Sequence, residues 1–175
     1  MGERVEALTA VGWLLEAYSR GVRALVYALA AVSGAGILAM MGVTCVDVVL
    51  RVFGRPLTGA FDIVKLAGAV TIASALPYTT AVKGHVAIEY FFHKLSRPWR
   101  IVVDTLARSV CIALFGFLAW QSIRYGAALR KSGQVTSTLQ FPVFWVPYVI
   151  AFSCAVVALV ILHNLLHPGK EMIKP

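Results

Sequence analysis

Two aspartates in this chain each stand four residues before an arginine, within or at the end of a long apolar stretch. Asp47 precedes Arg51, and Asp104 precedes Arg108. Residues four apart meet on one face of a helix, and the order with the acid first is the more favourable one. A charge at the centre of a bilayer costs about 2.5–3.5 kcal/mol on insertion scales. We therefore expect Asp104 and Arg108 to face protein or lipid headgroups.

The same pairing bears on whether the chain could move a solute alone. A small self-sufficient exporter needs an acidic group inside the membrane as its proton and substrate site. Asp47 and Asp104 are poor candidates, because each has an arginine four residues later. Charges do not converge on several helices at mid-membrane, as they do in complete transporters. These features predict an accessory membrane subunit.

Four histidines offer imidazole, the group with which membrane cytochromes ligate haem. One haem needs two histidines at the same depth within a helix bundle. His85 and His93 lie in a charged connecting segment, whereas His163 and His167 lie at the end of the last apolar run. We expect interfacial histidines and no cofactor in this chain. A haem-binding membrane anchor of an oxidoreductase is the alternative, and a Soret band would support it.

The cysteines do not predict an enzyme, and the sequence shows no known catalytic motif that would. Cys45, Cys111 and Cys154 are far apart and surrounded by apolar residues, so we interpret them as small buried hydrophobic residues. The sequence contains no nucleophile elbow, phosphate-binding loop or carboxylate pair.

The composition is that of a membrane protein. Hydrophobic residues make up 59% of the 175 residues, charged residues make up 14%, and the mean hydropathy is +0.80. Soluble domains contain about 25% charged residues. The net charge of +8 comes from small basic groups between apolar runs. Such groups typically flank membrane spans, and they do not predict nucleic-acid binding.

The apolar runs predict an all-α integral membrane protein with four spans, at about 24–50, 60–82, 101–123 and 142–164. Residues 24–46 carry no charge and would form about 34 Å of helix, enough to cross a bilayer. All four spans belong to one predicted membrane domain, residues 1–175. We also expect an N-terminal interfacial helix within residues 1–19 and an amphipathic helix after span two, within 83–100.

A short charged segment, residues 51–62, separates the first two spans: one helix ends in it and the next helix begins in it. Gly54 and Pro56 should end the first helix, because proline lacks an amide donor and disfavours helix in the residue before it. Thr58 or Gly59 can then cap a new helix that has Asp62 in its first turn.

Small residues in the first two spans predict close helix packing. Ala31 and Ala35 stand at four-residue spacing in span one, and Gly68 and Ala75 give span two a narrow cross-section. Such residues let helices approach closely in lipid. We expect them, with Asp104 and Arg108, to contribute to helix packing or to an interface with a larger membrane partner.

The distribution of basic residues predicts the orientation. Four spans place both termini on one side, where nine Lys and Arg residues would lie, against six on the other side. The positive-inside rule therefore predicts cytoplasmic termini. The six are Arg51, Arg55, Lys65, Arg124, Arg130 and Lys131.

Over residues 24–165 the sequence resembles a known family. The matching pieces are R-V-F-G-R-P-L at 51–57, K-G-H-V-A-I at 83–88, Trp120 closing span three, and T-S-T-L-Q-F-P at 136–142. They occur in order on four spans. The chain resembles the small membrane subunit, DctQ type, of tripartite ATP-independent periplasmic (TRAP) transporters.

The resemblance implies a bacterial inner-membrane complex that imports organic acids, such as dicarboxylates or sugar acids, with sodium. It also implies a large membrane subunit that carries the substrate and sodium sites, and a periplasmic protein that delivers substrate. The small subunit would widen the scaffold and help to receive the delivery protein, in contact with membrane lipids. After Leu57 this chain has only Asp62 where relatives carry more acid.

The two outward loops supply a candidate docking surface for the delivery protein. Its basic residues are Arg51, Arg55, Arg130 and Lys131. Since Asp47 can form an ion pair with Arg51, the sequence favours Arg55 and Lys131 as the residues that contact an acidic partner.

Overall fold

A computed structural model describes residues 2–82 and 97–166, with side chains for 18–82, 102–103 and 105–163. These described residues contain four α-helices. The helices are α1 (Gly2–Val52), α2 (Ala60–Ala81), α3 (Arg97–Ser132) and α4 (Trp145–Leu166). Each contains a stretch long and apolar enough to cross a membrane, namely Tyr18–Val52, Ala60–Ala81, Thr105–Ser132 and Trp145–His163. This confirms the prediction of an all-α protein with four spans.

Helix α1 differs from the prediction at its beginning. The N-terminal segment is helical, but it continues into the first span as one helix of 51 residues. No proline lies before position 56, so nothing in the sequence forces a boundary between the two. The amphipathic helix predicted within 83–100 falls mostly outside the described residues. Helix α3 begins at Arg97, with Pro98 in its first turn, where a missing N–H costs little.

The helices are joined so that two loops lie at one end of the bundle. Residues 53–59 connect α1 to α2, and residues 133–144 connect α3 to α4. We call this end the loop end. Helix α1 packs along α2, α2 also packs along α4, and α1 touches α4 less extensively. In the described part of the chain, α3 packs extensively on α4 alone.

A small apolar core lies at the end opposite the loops. It is formed by buried side chains of α1, α2 and α4: Val22, Val26, Leu29, Ala81, Val156 and Val160. Beside this core the Tyr18 hydroxyl donates a 2.8 Å hydrogen bond to the Leu159 carbonyl. The Tyr18 ring also stacks on His163, with ring centroids 5.9 Å apart. These contacts fix the beginning of the first span against the end of the last one.

The crossing of α1 and α2 depends on glycine. A Cβ added at Gly36 would overlap the hydroxyl oxygen of Thr71, a buried residue of α2. At Gly68 of α2 the approach is less close, because an added Cβ would lie 3.5 Å from the Met40 sulfur, an ordinary van der Waals distance. The crossing therefore leaves no room for a side chain at Gly36, whereas Gly68 has room for one more carbon.

Candidate functional site

Helix α1 ends in a glycine turn that turns the chain sharply. Gly54 adopts a left-handed conformation with φ 73°. Its N–H donates to the Arg51 carbonyl at 3.0 Å, and the Arg55 N–H donates to the Leu50 carbonyl at 3.0 Å. This pair of hydrogen bonds is the Schellman motif, which satisfies carbonyls at a helix end and favours glycine at this position. The R-V-F-G-R-P-L segment is therefore a helix terminus followed by a loop.

The Asp47 carboxylate fastens that loop to α1. Its Oδ2 accepts a 2.8 Å hydrogen bond from the Arg51 guanidinium, and its Oδ1 accepts a 2.9 Å hydrogen bond from the Leu57 N–H. The Asp47 side chain is 14% exposed, whereas that of Arg51 is 69% exposed. Asp47 thus pairs with Arg51 as its spacing predicts, and it also anchors the loop backbone.

Helix α2 begins at a second left-handed glycine. Gly59 has φ 89°, which a residue with a Cβ adopts only with strain. A Cβ at this position would also lie 2.5 Å from Cγ of Leu139. Gly59 therefore allows both the turn into α2 and the close approach of the second loop.

The second loop contains a short hairpin, residues 134–143. Val135 and Pro142 form an isolated antiparallel bridge. The Thr136 N–H donates to the Phe141 carbonyl at 2.9 Å, and the Phe141 N–H donates to the Thr136 hydroxyl oxygen at 3.0 Å. Gln140 turns the chain with φ 51°. The T-S-T-L-Q-F-P segment is therefore a tight, folded connection.

Asp62 joins the two loops. Its Oδ2 accepts hydrogen bonds from the N–H groups of Thr138 at 2.8 Å and Leu139 at 3.1 Å. The residue is only 4% exposed. Hydrogen bonds to a charged group contribute about 1.5–3 kcal/mol each. The acid at the start of α2 is thus bound to backbone within the chain.

An open cleft of about 360 Å³ lies where α1, α2 and the hairpin meet. Both Asp47 oxygens are already bonded within the chain, so the cleft offers a partner mainly apolar surface. It is lined by Thr44, Asp47, Arg51, Leu57, Gly59, Ala60, Phe61, Val64 and Thr138.

The structure places the four predicted docking residues at the loop end. Arg51 pairs with Asp47, whereas Arg55 is exposed in the loop. Arg130 and Lys131 occupy the last turn of α3 and are exposed, so they are carried by a helix and not by a loop. The Arg130 guanidinium carbon lies 6.0 Å from the centre of the Phe144 ring.

The predicted packing residues fall into two groups. Gly68 and Ala75 are half-buried on α2, and Gly68 faces α1. Ala31 and Ala35 are exposed on α1, and Arg108 is half-buried on α3. The side chain of Asp104 lies outside the described ones. The exposed alanines leave one face of α1 open to a neighbour from outside the chain.

Helix α3 presents a long apolar surface to its surroundings. Exposed side chains recur along it at Val102, Leu106, Val110, Leu114 and Phe117. Near the loop end the Arg124 guanidinium carbon lies 5.1 Å from the centre of the Trp120 ring. An arginine over a tryptophan is typical of a membrane-interface position. The apolar surface of α3 is therefore available to lipid or to another membrane protein.

Two structural features of the bundle were not predicted from the sequence. The bond between Asp62 and the hairpin joins residues 76 and 77 positions apart, and no periodicity signals such a pair. The tight contact of Gly36 was missed because the regular spacing drew attention to the alanines. The cysteines also differ in part from the expectation that they are buried, since Cys154 is buried, Cys111 is half-buried and Cys45 is exposed.

Comparison with protein families gives one match. The model of the family described as tripartite ATP-independent periplasmic transporters, DctQ component, matches residues 40–169. No curated protein and no solved structure matches the chain significantly. The matched region covers the last quarter of α1, the whole of α2, α3 and α4, and both loops of the loop end.

Proposed function

The chain belongs to the DctQ family and is the small membrane subunit of a TRAP transporter, and on this premise we propose that it serves a sodium-coupled importer of organic acids such as dicarboxylates or sugar acids. The family comprises transporter components and not enzymes. In this proposal a large membrane subunit carries substrate and sodium, and a periplasmic binding protein delivers the substrate. The small subunit supports the large one and helps to dock the delivery protein.

Orientation is part of the proposal. We infer a bacterial inner-membrane location with both termini in the cytoplasm. The support is the excess of Lys and Arg on the side of the termini, nine against six, since cytoplasmic flanks of spans are enriched in these residues. The loop end, with its two fastened loops, then faces the periplasm.

The main support for the docking role is that the loop end combines loops whose backbone is held by hydrogen bonds with exposed positive charge. Asp47 binds the N–H of the first loop, and Asp62 binds the tip of the second one. Arg55 and Lys131 remain exposed. A surface of fixed shape with positive charge suits a partner with acidic residues, because complementary charge speeds encounter and sets orientation.

The scaffold role rests on surfaces that the chain leaves uncovered. The apolar stripe of α3 and the small residues Ala31 and Ala35 of α1 are exposed. Small residues let a neighbouring helix approach closely, so we propose that these faces meet the large subunit or the lipids around it. Arg108 and Asp104 belong to the same interface in this proposal.

The test of docking is the double charge reversal Arg55→Glu with Lys131→Glu, assayed in the complete three-component system. Exposed ion pairs contribute about 0.2–1 kcal/mol each, so two losses should raise the half-maximal concentration of binding protein about two- to thirtyfold. The effect should shrink as salt rises, because salt screens exposed charges.

A matched control comes from the opposite end of the bundle. Arg23 is exposed near the start of the first span, so Arg23→Glu changes charge on the face away from the loops. It should leave the half-maximal concentration unchanged once complex yield is shown to be normal. An unchanged value for the double reversal at low salt, with normal assembly, would contradict docking at this face.

A further inference from the structure

We propose that the hairpin of residues 134–143 is the element that receives the delivery protein, and that Asp62 is the positioning residue that holds it. The inference rests on the proposed docking function and deepens it. It commits to one partner, a protein whose docking surface carries acidic residues. The basis is the network formed by Asp62, Gly59 and the hairpin tip.

The hairpin is a short element that is fixed at its two ends to α3 and α4. Its two arms are joined by one isolated bridge, between Val135 and Pro142, and by a few hydrogen bonds beside that bridge. An isolated two-stranded hairpin is marginally stable in water at best. The position of its tip therefore depends on an anchor from another element.

Asp62 supplies that anchor. Its buried Oδ2 accepts the two consecutive N–H groups at the hairpin tip. Replacing the carboxylate by the neutral amide of asparagine leaves one acceptor oxygen but removes its charge, and hydrogen bonds to a charged acceptor are roughly twice as strong as those to a neutral one. Asp62 stands in the first turn of α2, so the anchor is fixed to a membrane span.

Gly59 adds a steric contact at the same place. The Leu139 side chain lies over the Cα of Gly59, where a Cβ would come within 2.5 Å of Cγ. The tip is thus held by hydrogen bonds to its backbone and by packing of its side chain. Both contacts come from the N-terminal end of α2.

The exposed side chains of the hairpin and its flank are polar, aromatic and basic, a combination that suits binding of another protein. Ser137, Gln140 and Phe141 are exposed, and the exposed cations Arg130 and Lys131 precede the hairpin at the end of α3. The combination of an aromatic side chain, polar side chains and flanking positive charge matches what recognition surfaces use.

Neutralising Asp62 separates positioning from simple electrostatics, because the two predict opposite results. Asp62→Asn makes the loop end more positive, so charge attraction alone would lower the concentration of an acidic binding protein needed for half-maximal uptake. Loss of positioning raises that concentration, because the binding protein must then select the docked hairpin from a wider ensemble.

The experiment compares Asp62→Asn and Gly59→Ala in the assembled complex. Gly59→Ala changes no charge but displaces Leu139. Gly42→Ala is the control, since a Cβ there would meet nothing within 4 Å. Hydrogen–deuterium exchange of peptides covering 134–143 reports whether the hairpin is held. A titration with purified binding protein reports docking and maximal uptake rate.

We expect both variants to speed exchange of the hairpin amides and to raise the half-maximal concentration. For Asp62→Asn the rise should be about tenfold, the effect of roughly one lost charge-assisted hydrogen bond. The maximal rate at saturating binding protein and the complex yield should remain normal, and Gly42→Ala should match the original protein.

Several results would overturn the inference. Unchanged exchange in both Asp62→Asn and Gly59→Ala would show that the contacts from the start of α2 do not hold the hairpin. Faster exchange with an unchanged or lower half-maximal concentration would show that the hairpin does not receive the partner. A lost complex or a reduced maximal rate would show a merely structural role. If Arg55→Glu with Lys131→Glu still impairs docking, only the hairpin inference fails; if neither perturbation has an effect, the docking function fails as well.

Discussion

The close crossing of α1 and α2 gives a direct test of the packing, through the substitution Gly36→Ala. The added methyl group would overlap the Thr71 hydroxyl oxygen and lie 3.4 Å from its Cβ. Thr71 is 6% exposed, so it has little room to yield. Overpacking of this kind costs about 1–3 kcal/mol.

A second glycine on the same helix provides the matched control. Gly34 lies two residues earlier, and a Cβ there would meet nothing within 4 Å. Alanine is the better helix former by about 1 kcal/mol on scales measured in water. We therefore expect Gly34→Ala to be neutral or slightly stabilising, and Gly36→Ala to be less stable than Gly34→Ala by about 1–3 kcal/mol.

The assay is thermal unfolding of the purified chain in detergent, combined with a double-mutant cycle. A loss of about 1 kcal/mol lowers the midpoint of a protein of this size by roughly 2–4 °C. Thr71→Ala removes the overlapping oxygen, so Gly36→Ala should be far less damaging in that background. The two substitutions should therefore be coupled by about 1 kcal/mol or more. Equal midpoints for Gly34→Ala and Gly36→Ala would refute the close crossing.

Two further predictions follow from the same structure and the proposed function. Gly68→Leu should weaken co-purification with the large subunit, because a leucine at this half-buried position must push Met40 aside and separate the paired spans. Gly68→Ala should be tolerated. Unchanged complex yield and thermal stability for the leucine variant would show that Gly68 does not contribute to this packing. The purified chain in liposomes with a sodium gradient should take up no organic acid above empty vesicles, and robust uptake by the chain alone would contradict the role of an accessory subunit.

The fold was largely predictable from local features of the sequence. Four apolar runs are sufficient to indicate four spans, because bilayer thickness sets helix length. Gly54 and Pro56 marked the break between the first two spans, since both disfavour the continuation of a helix. The continuity of α1 was not predictable, because the charges near its beginning suit an interfacial helix as well as a long straight one.

The candidate site was predictable only in part. Spacing alone paired Asp47 with Arg51, because four residues make one helical turn and a little more. The role of Asp62 depends on a hairpin 76 residues later, and only the packed bundle brings the two together. Gly36 was missed for a similar reason, since its importance comes from Thr71 on a different helix.

The position of α3 at the edge of the bundle bears on how the protein is made. Helices α1 and α2 are consecutive and pack on each other, so they can associate as soon as both have entered the membrane. Helix α3 follows them, but its extensive contacts in the described part of the chain are with α4, which is synthesised last. Within this chain, helix α3 therefore gains its main packing partner only when α4 has been synthesised. The last span thus connects the α1–α2 pair to α3, because it packs on both α2 and α3.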